Sequence, residues 1–200
     1  MEFNGTFTIQ DATIEEVWLA LSDREMVKRC LTGCRFLVEV DDADDVDFDA
    51  LAETVSDEDE DVSVLPEADP ETVSERSFEE GASYAALIQV GVGSVKPTFE
   101  SIVTIEEREF PSMTASGRGS DSSNSFEMNS GMNLVETDDG DVTVEWWANA
   151  QVFGRLAQMG QRVLNPVTNR VVNQFFTKLE NRLNEVEEPT GLRGRIRDLV

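Results

Sequence analysis

The apolar residues of this chain change their spacing near Gly154. Between Ser83 and Phe153, apolar and polar residues alternate in several short runs, which predicts β-strands. From Gly154 to about Val186 the apolar residues recur every three or four positions, as on one face of a helix. They are Leu156, Met159, Val163, Val167, Val171, Phe175, Leu179 and Leu183. A helix with an apolar face packs against another apolar surface, so this pattern predicts a curved antiparallel sheet against one long terminal helix.

About seven strands are predicted along the chain. They occupy residues 2–9, 36–40, 84–95, 99–107, 112–119, 125–135 and 142–153. Gly91 and Gly93 indicate a bend in the longest apolar run, which would let the sheet curve. The adjacent Trp146 and Trp147 must point to opposite faces of their strand. The fold class is therefore α+β, and we expect a cavity between the sheet and the terminal helix.

Two short helices are predicted between the first and second strands. Thr13 with Glu16 and Ser22 with Glu25 each match a capping box, in which two side chains satisfy free N–H groups at a helix start. The first of these helices carries Trp18 on its apolar side, and we expect this side chain to contact the cavity as a lid from that helix.

Residues 41–75 contain 16 acidic residues and no lysine or arginine. Charges of one sign cannot pair with each other, so we expect a mobile, solvated insertion at about residues 41–78. Phe48, Leu51, Ala52 and Val55 have the spacing to dock one short helix onto the body. Asp57, Asp59 and Asp61 match the first ligands of a calcium-binding EF-hand loop. The match fails further on, where Val62 and Ala68 replace the required glycine and glutamate, so solvated carboxylates are the preferred interpretation.

The terminal helix contains Asn165-Pro166, and proline disfavours helical geometry in the residue before it. The helix either kinks there or restarts with Asn165 as its cap. We assign residues 1–188 to a single domain. Residues 189–200 form a short tail in which arginines alternate with apolar residues. This tail is either disordered or in contact with an anionic membrane surface or an acidic partner.

The chain has 41 acidic and 16 basic residues among 200, a net charge of −25. Such a charge excludes nucleic acid as a general partner. Molar salt screens the repulsion, so we interpret the composition as that of an extreme halophile, with an acidic partner-binding surface as the alternative. We expect a soluble cytoplasmic protein, because no run of apolar residues is long enough to span a bilayer and no signal peptide is recognised. Cys30 and Cys34 without any histidine give no metal site, and we expect them to be buried thiols.

Several segments resemble the CoxG family of carbon monoxide dehydrogenase subunits, within the START-like (SRPBCC) helix-grip superfamily. They are FNGTFTIQDATIEEVWLALSD, CLTGC, VGVGSVKPTFESIVTI, ASGRGS, NAQVFGRLAQMGQRVL and NQFF, and the resemblance covers about residues 2–186 apart from the acidic insertion. It implies a helix-grip domain with a hydrophobic cavity and without cofactor or catalytic triad. It also implies an association with molybdenum hydroxylases of the carbon monoxide dehydrogenase type, in maturation or membrane recruitment, and in some members a role as a quinone carrier.

The residues themselves favour binding over catalysis. Acid–base chemistry needs a side chain that titrates near the working pH, and the candidates Arg118, Glu127, Glu145 and Arg155 are more simply surface charges. A ligand cavity needs apolar, adaptable side chains, and methionines alternate with apolar residues on one predicted strand. The residues predicted to line the cavity are Phe126, Met128, Met132, Trp146, Met159, Val163 and Val167, with Trp18 as a further contact from the first helix. Ordinary core packing is the simpler alternative for each of them.

We therefore expect a non-enzymatic carrier of a hydrophobic small molecule, such as a quinone or another isoprenoid lipid. An assembly or membrane-recruitment factor that acts through its surface on a molybdenum enzyme is the alternative. A cyclase-like or hydrolase-like enzyme is the third class.

Overall fold

The computed structural model of this protein describes residues 1–54, 62–185 and 196. The strands are β1 (Glu2–Ile9), β2 (Cys34–Val40), β3 (Ser83–Gln89), β4 (Thr98–Glu109), β5 (Ser112–Ser120), β6 (Asn124–Glu136) and β7 (Val142–Gly154). The helices are α1 (Ile14–Ser22), α2 (Arg24–Cys30), α3 (Phe48–Thr54), α4 (Pro70–Glu75), α5 (Arg155–Met159) and α6 (Gln161–Leu183).

The seven strands form one curved antiparallel sheet in the order β1-β7-β6-β5-β4-β3-β2. Strands that follow one another along the chain are neighbours from β2 to β7, and β1 closes the far edge against β7. The predicted fold, a sheet that packs on one side against a long terminal helix, is confirmed. The predicted strand 84–95 is too long, because β3 ends at Gln89 and Val92 pairs with Val95 in a tight turn around Gly93, whose φ is +60°.

The first helix begins as predicted, whereas the second does not. The backbone N–H of Glu16 donates to Thr13 Oγ1 at 3.2 Å, and the Glu16 side chain accepts from the Thr13 N–H. Ser22 is still part of α1, so the predicted capping box with Glu25 is wrong. Asp23 caps α2 instead, because its carboxylate accepts from the Glu25 N–H at 3.0 Å.

The acidic insertion is more ordered than predicted. As expected, α3 docks on the outer face of the sheet through Phe48, Leu51 and Ala52. The other predicted docking residue, Val55, and the carboxylates of Asp57, Asp59 and Asp61 lie outside the described residues. The expectation of a solvated segment is wrong for residues 62–78, since Val64, Leu65 and Val73 are completely buried in the main core. These few apolar residues outweigh the acidic composition, because burying each one stabilises the fold by about 1.5 to 3 kcal/mol.

A buried ion pair holds this segment against the first two helices. Arg76 donates to both carboxylate oxygens of Asp23, at 2.8 and 2.7 Å, and its Nη2 also donates to the Ser63 carbonyl oxygen at 2.7 Å. The Asp23 side chain is completely buried and that of Arg76 is 12% exposed. Asp23 therefore caps α2 and anchors the insertion at the same time.

The terminal helix is interrupted, but not at the predicted place. Gly160, with a φ of +72°, separates α5 from α6, and α6 then runs without interruption through Pro166. A restart at Asn165 is therefore wrong. Pro166 is exposed, and within the helix it removes the bond that its N–H would have made to the residue 162 carbonyl.

The buried residues inside the sheet form two clusters. The larger one, the main core, joins α1, α2, the insertion and the last part of α6, where Phe176 and Leu179 are buried. The smaller one, the end cluster, consists of Val92, Phe99, Leu156 and Leu164. Of the tail, only Ile196 is described, and it is buried in the main core; the expected membrane contact of the other tail residues concerns positions outside the described ones. No helix among the described residues is long and apolar enough to cross a membrane.

Candidate ligand cavity

A cavity of about 600 Å³ lies between the inner face of the sheet and α6. It separates the main core from the end cluster, and residues of both clusters contribute to its wall. From the sheet it is lined by, among others, Phe3, Phe99, Val103, Met113, Phe126, Met128, Met132, Trp146 and Val152. From α6 it is lined by Leu164, Val167, Thr168, Val171, Val172, Phe175 and Phe176. Its volume is within the range of small-molecule sites.

The position of α6 explains why this space stays open. The C-terminal half of the helix packs on the main core, and α5 with the first turns of α6 packs on the end cluster. Three hydrogen bonds hold the N-terminal part over the sheet: Arg170 Nη2 to the Gly91 carbonyl at 2.7 Å, Gln161 Nε2 to the Glu2 carbonyl at 2.8 Å, and the Leu156 N–H to Asn124 Oδ1 at 2.9 Å. The helix is thus supported at both ends and spans the gap.

Glycines in the sheet let large side chains lie flat on the cavity floor. A Cβ at Gly119 would be 2.6 Å from Phe126 Cε1, and a Cβ at Gly5 would be 3.0 Å from the Trp146 ring. Each glycine is paired across strands with the aromatic residue that covers it. On the sheet side of the cavity, these aromatic rings therefore lie directly against the backbone of the neighbouring strand.

The lining is apolar and, among the described residues, contains no charged side chain. Its polar side chains are those of Thr114, Ser125, Ser130 and Thr168. Ser130 Oγ already donates to the Ala115 carbonyl oxygen at 3.4 Å. The wall is therefore suited to an uncharged molecule, since a charge moved here from water would lose its hydration without finding a partner.

The structure brings five of the predicted site residues together. Phe126, Met128, Met132, Trp146 and Val167 all line the cavity. Trp146 and Trp147 alternate as predicted: the Trp146 ring covers Gly5 on the inner face, whereas Trp147 is 41% exposed and covers Gly131.

The other three predicted residues lie elsewhere. Trp18 is buried in the main core, where it packs edge-on against Phe110 and beneath the Arg108 guanidinium. Met159 and Val163 are exposed on the outer side of α5 and α6. Met159 precedes the break at Gly160 and belongs to the separate helix α5. Within α6 the cavity-facing residues are centred on Leu164, Thr168, Val171 and Phe175, and Val163 lies about 100° around the helix from Leu164, beyond the edge of this face.

Sequence reasoning missed part of the lining. Phe3 and Phe99 are inward positions of alternating strands, and Phe175 belongs to the recognised helical stripe. Each of them was marked as apolar and inward by its spacing. An inward residue either borders the cavity or fills the core, depending on whether it lies at the gap between the two clusters. Long-range packing sets the position of that gap, so the sequence does not show it.

The surface charges named as weak catalytic candidates do not reach the cavity. Arg118, on the outer face, pairs with Asp44 at 2.6 Å, and Glu127, Glu145 and Arg155 are not part of the lining. No group of three or more metal-ligating side chains occurs in the part of the chain that the structure describes. Burial raises the pKa of both Cys30 and Cys34 to about 11, so neither thiol is ionised near neutral pH.

Comparison with known proteins agrees with this architecture. The family model for the CoxG subunits of carbon monoxide dehydrogenase matches residues 71–184, which is more than half of the chain. The chain belongs to the CoxG family. This CoxG family member has β3 to β7, α5 and α6 within the matched region, together with almost all residues that line the cavity. No curated protein matches its sequence significantly.

Solved structures extend the likeness of this CoxG family member to nearly the whole chain. A conserved protein from Geobacillus kaustophilus superposes with a TM-score of 0.66 at 20% identity, covering 92% of this chain and 96% of its own. A START superfamily protein from Mycobacterium smegmatis gives a TM-score of 0.55 at 9% identity, covering 93% and 99%. At these identities the likeness shows the fold alone, and that fold is START-like.

Proposed function

We propose that this protein is a non-enzymatic carrier of an uncharged, mostly apolar small molecule, which it holds between the sheet and α6. The observation that carries the proposal is a cavity of about 600 Å³ without a charged lining side chain among the described residues. A quinone or another isoprenoid lipid has the required chemistry, because flat rings stack on aromatic faces and flexible chains follow methionine side chains.

Burial of the ligand's apolar surface supplies the driving force for binding. Burying about 300 Å² of apolar ligand surface contributes roughly 7 kcal/mol at about 25 cal/mol per Å². Part of this is lost to immobilisation of the ligand.

The cavity wall also supports the absence of catalysis. Its polar side chains are hydroxyls of serine and threonine, which do not titrate near neutral pH and lie beside no base in the lining. Since the family takes its name from carbon monoxide dehydrogenase, we propose that the carrier serves a molybdenum hydroxylase of that type in the cytoplasm. Its net charge of −25 supports an origin in an extreme halophile.

Native mass spectrometry of protein purified gently in molar salt tests the carrier function. The wild type is expected to retain an apolar molecule that denaturing solvent releases. Ala148→Phe fills the cavity next to Phe3 and is expected to abolish the retained mass. Val135→Phe adds the same side chain at an exposed site outside the cavity and serves as the control. A folded wild type that carries no ligand and binds no apolar probe would contradict the proposal.

One observation favours the second candidate, recruitment to a membrane. Residues 146–179 contain no acidic residue, although the chain as a whole is strongly acidic, and Arg155, Arg162 and Arg170 are exposed there. The exposed apolar side chains of Met159 and Val163 lie on the same two helices. A basic surface with exposed apolar side chains is suited to bind an anionic lipid surface, and each arginine contributes about 1 kcal/mol to the free energy of that binding.

Sedimentation with anionic and zwitterionic vesicles separates this second candidate from the first. Val163→Asp is expected to weaken binding to anionic vesicles, and Val135→Asp, at a comparably exposed position elsewhere, is expected to leave it unchanged. Equal behaviour of the two variants would remove the recruitment function and leave the carrier function untouched.

A further inference from the structure

A buried hydroxyl group without a partner lies on the inner face of the sheet, beside the Phe126 ring that lines the cavity. The register of the sheet places Ala86, Ser101, Gly119 and Phe126 side by side on the inner face of β3, β4, β5 and β6. Ser101 is thus the one polar side chain in a row of otherwise apolar or absent side chains. It is 3% exposed, and its Oγ makes no hydrogen bond in the described structure.

An unpartnered buried hydroxyl is costly, and it contrasts with another serine of the same inner face. Leaving such a group without a hydrogen bond costs about 1 to 3 kcal/mol, so its presence calls for an explanation. Ser130, which lines the cavity directly, is satisfied by the Ala115 carbonyl. The two serines therefore differ in whether the hydroxyl hydrogen is free to be donated to a ligand oxygen.

The ring of Phe126 covers Ser101. A Cβ at Gly119 would lie 2.6 Å from Ser101 Oγ and 2.6 Å from Phe126 Cε1, so the ring and the hydroxyl share the space that the missing side chain leaves. Phe126 also contacts Phe99 edge-on, with ring centroids 5.4 Å apart, and both rings line the cavity. Beyond them lies the open volume of the cavity.

We propose that Ser101 is the polar recognition point of the cavity. A ligand turns the Phe126 ring toward the open volume and places a neutral oxygen, as a carbonyl or a hydroxyl, within hydrogen-bond distance of Ser101 Oγ. The cargo is therefore a mostly apolar molecule with an uncharged oxygen at the end that reaches the sheet. This inference rests on the proposed carrier function and specifies the chemical class of its ligand.

Two tricyclic probes of nearly equal size test the inference, because fluorenone differs from fluorene mainly by its carbonyl oxygen. The affinity of each probe is measured by calorimetry or by quenching of tryptophan fluorescence. For the wild type we expect fluorenone to bind more tightly than fluorene. In Ser101→Ala the ratio of the two affinities is expected to fall about fivefold, which corresponds to the loss of one hydrogen bond of about 1 kcal/mol.

Matched variants control for general damage to the cavity. Ser130→Ala removes a lining hydroxyl that already has a partner, and we expect it to keep the wild-type ratio. Gly119→Ala places a methyl group in the space beside Ser101 and is expected to lower the ratio as Ser101→Ala does. Gly117→Ala is its control, since the nearest neighbours of the new methyl group are the flexible Met128 side chain, at 3.3 Å, and the Ile102 carbonyl oxygen, at 3.8 Å, and not Ser101.

The possible outcomes separate this inference from the carrier function. If both probes bind and their affinity ratio is the same in wild type and Ser101→Ala, the recognition role is overturned and the carrier function stands. If neither probe binds the folded wild type, both are overturned. A ratio that falls in Ser101→Ala and Gly119→Ala but not in Ser130→Ala supports the inference.

Discussion

The two halves of α6 have similar apolar spacing but different surroundings. In the C-terminal half, Phe176 and Leu179 are buried in the main core, and Phe176 stacks on Phe7 with ring centroids 5.4 Å apart. In the N-terminal half, Val167 and Val171 face the cavity and are only partly buried. One face of a single helix therefore stabilises the fold at one end and borders a ligand space at the other.

The largest expected effect is at the main-core end. Leu179→Ala removes a completely buried side chain and is expected to lower the free energy of unfolding by about 4 kcal/mol. Val167→Ala, in the same helix, borders an existing cavity and is expected to cost less than about 1 kcal/mol. Urea denaturation in high salt measures both. Equal losses would show that the two halves do not differ as described.

The buried ion pair at the same end is expected to give the next largest effect. Arg76→Ala leaves the buried Asp23 carboxylate without its partner and is expected to cost about 3 kcal/mol. Arg24→Ala breaks the surface pair with Glu39, at 3.4 Å, and is expected to cost well under 1 kcal/mol. Denaturation curves of the two variants make the comparison, and similar midpoints would contradict the anchoring role of Asp23.

Salt is expected to act mainly on the acidic part of the molecule. Raising the ionic strength to molar values screens the repulsion among the 16 acidic residues of residues 41–75. We expect a gain of roughly 2 kcal/mol in unfolding free energy, or about 6 °C in melting temperature. The melting temperature in increasing KCl measures it. A melting temperature that falls or stays constant would contradict the halophilic interpretation.

Near neutral pH the two thiols are expected to have the smallest effect on stability, because both are protonated in the folded and the unfolded state. Burial raises the pKa of Cys30 and Cys34 from 9.0 to about 11, so the folded state holds both protons more tightly than the unfolded state does. The resulting stability is complete below pH 9 and is lost as the pH rises toward 11. We expect a thiol reagent at pH 8 to modify the folded protein about a hundredfold more slowly than a free cysteine. Rapid modification of both thiols would show that this region opens readily.

Strand alternation made most of the fold predictable from the sequence. A strand with one buried face has to alternate, so the spacing of Phe126, Met128 and Met132 identified both the strand and its inward side. The capping box at Thr13 and Glu16 was equally local and is confirmed, whereas the same signal at Ser22 and Glu25 failed because the neighbouring Asp23 caps α2.

The errors concern long-range contacts. Whether an acidic segment is solvated depends on what its few apolar residues contact. In this protein Val64, Leu65 and Val73 pack in the main core. The rotation of α6 about its own axis decides which of its residues face inward, and it places Leu164 inside and Val163 outside. Composition and local spacing contain neither of these contacts.

A crystal structure of the protein saturated with 2-bromofluorene tests the central claim most directly. The anomalous scattering of bromine locates the probe without reference to the surrounding density. We expect a bromine peak between the inner face of the sheet and α6, within contact distance of Trp146 and Val167. A peak found only on the outer surface, with Phe126 and Phe175 filling the space between sheet and helix, would contradict it.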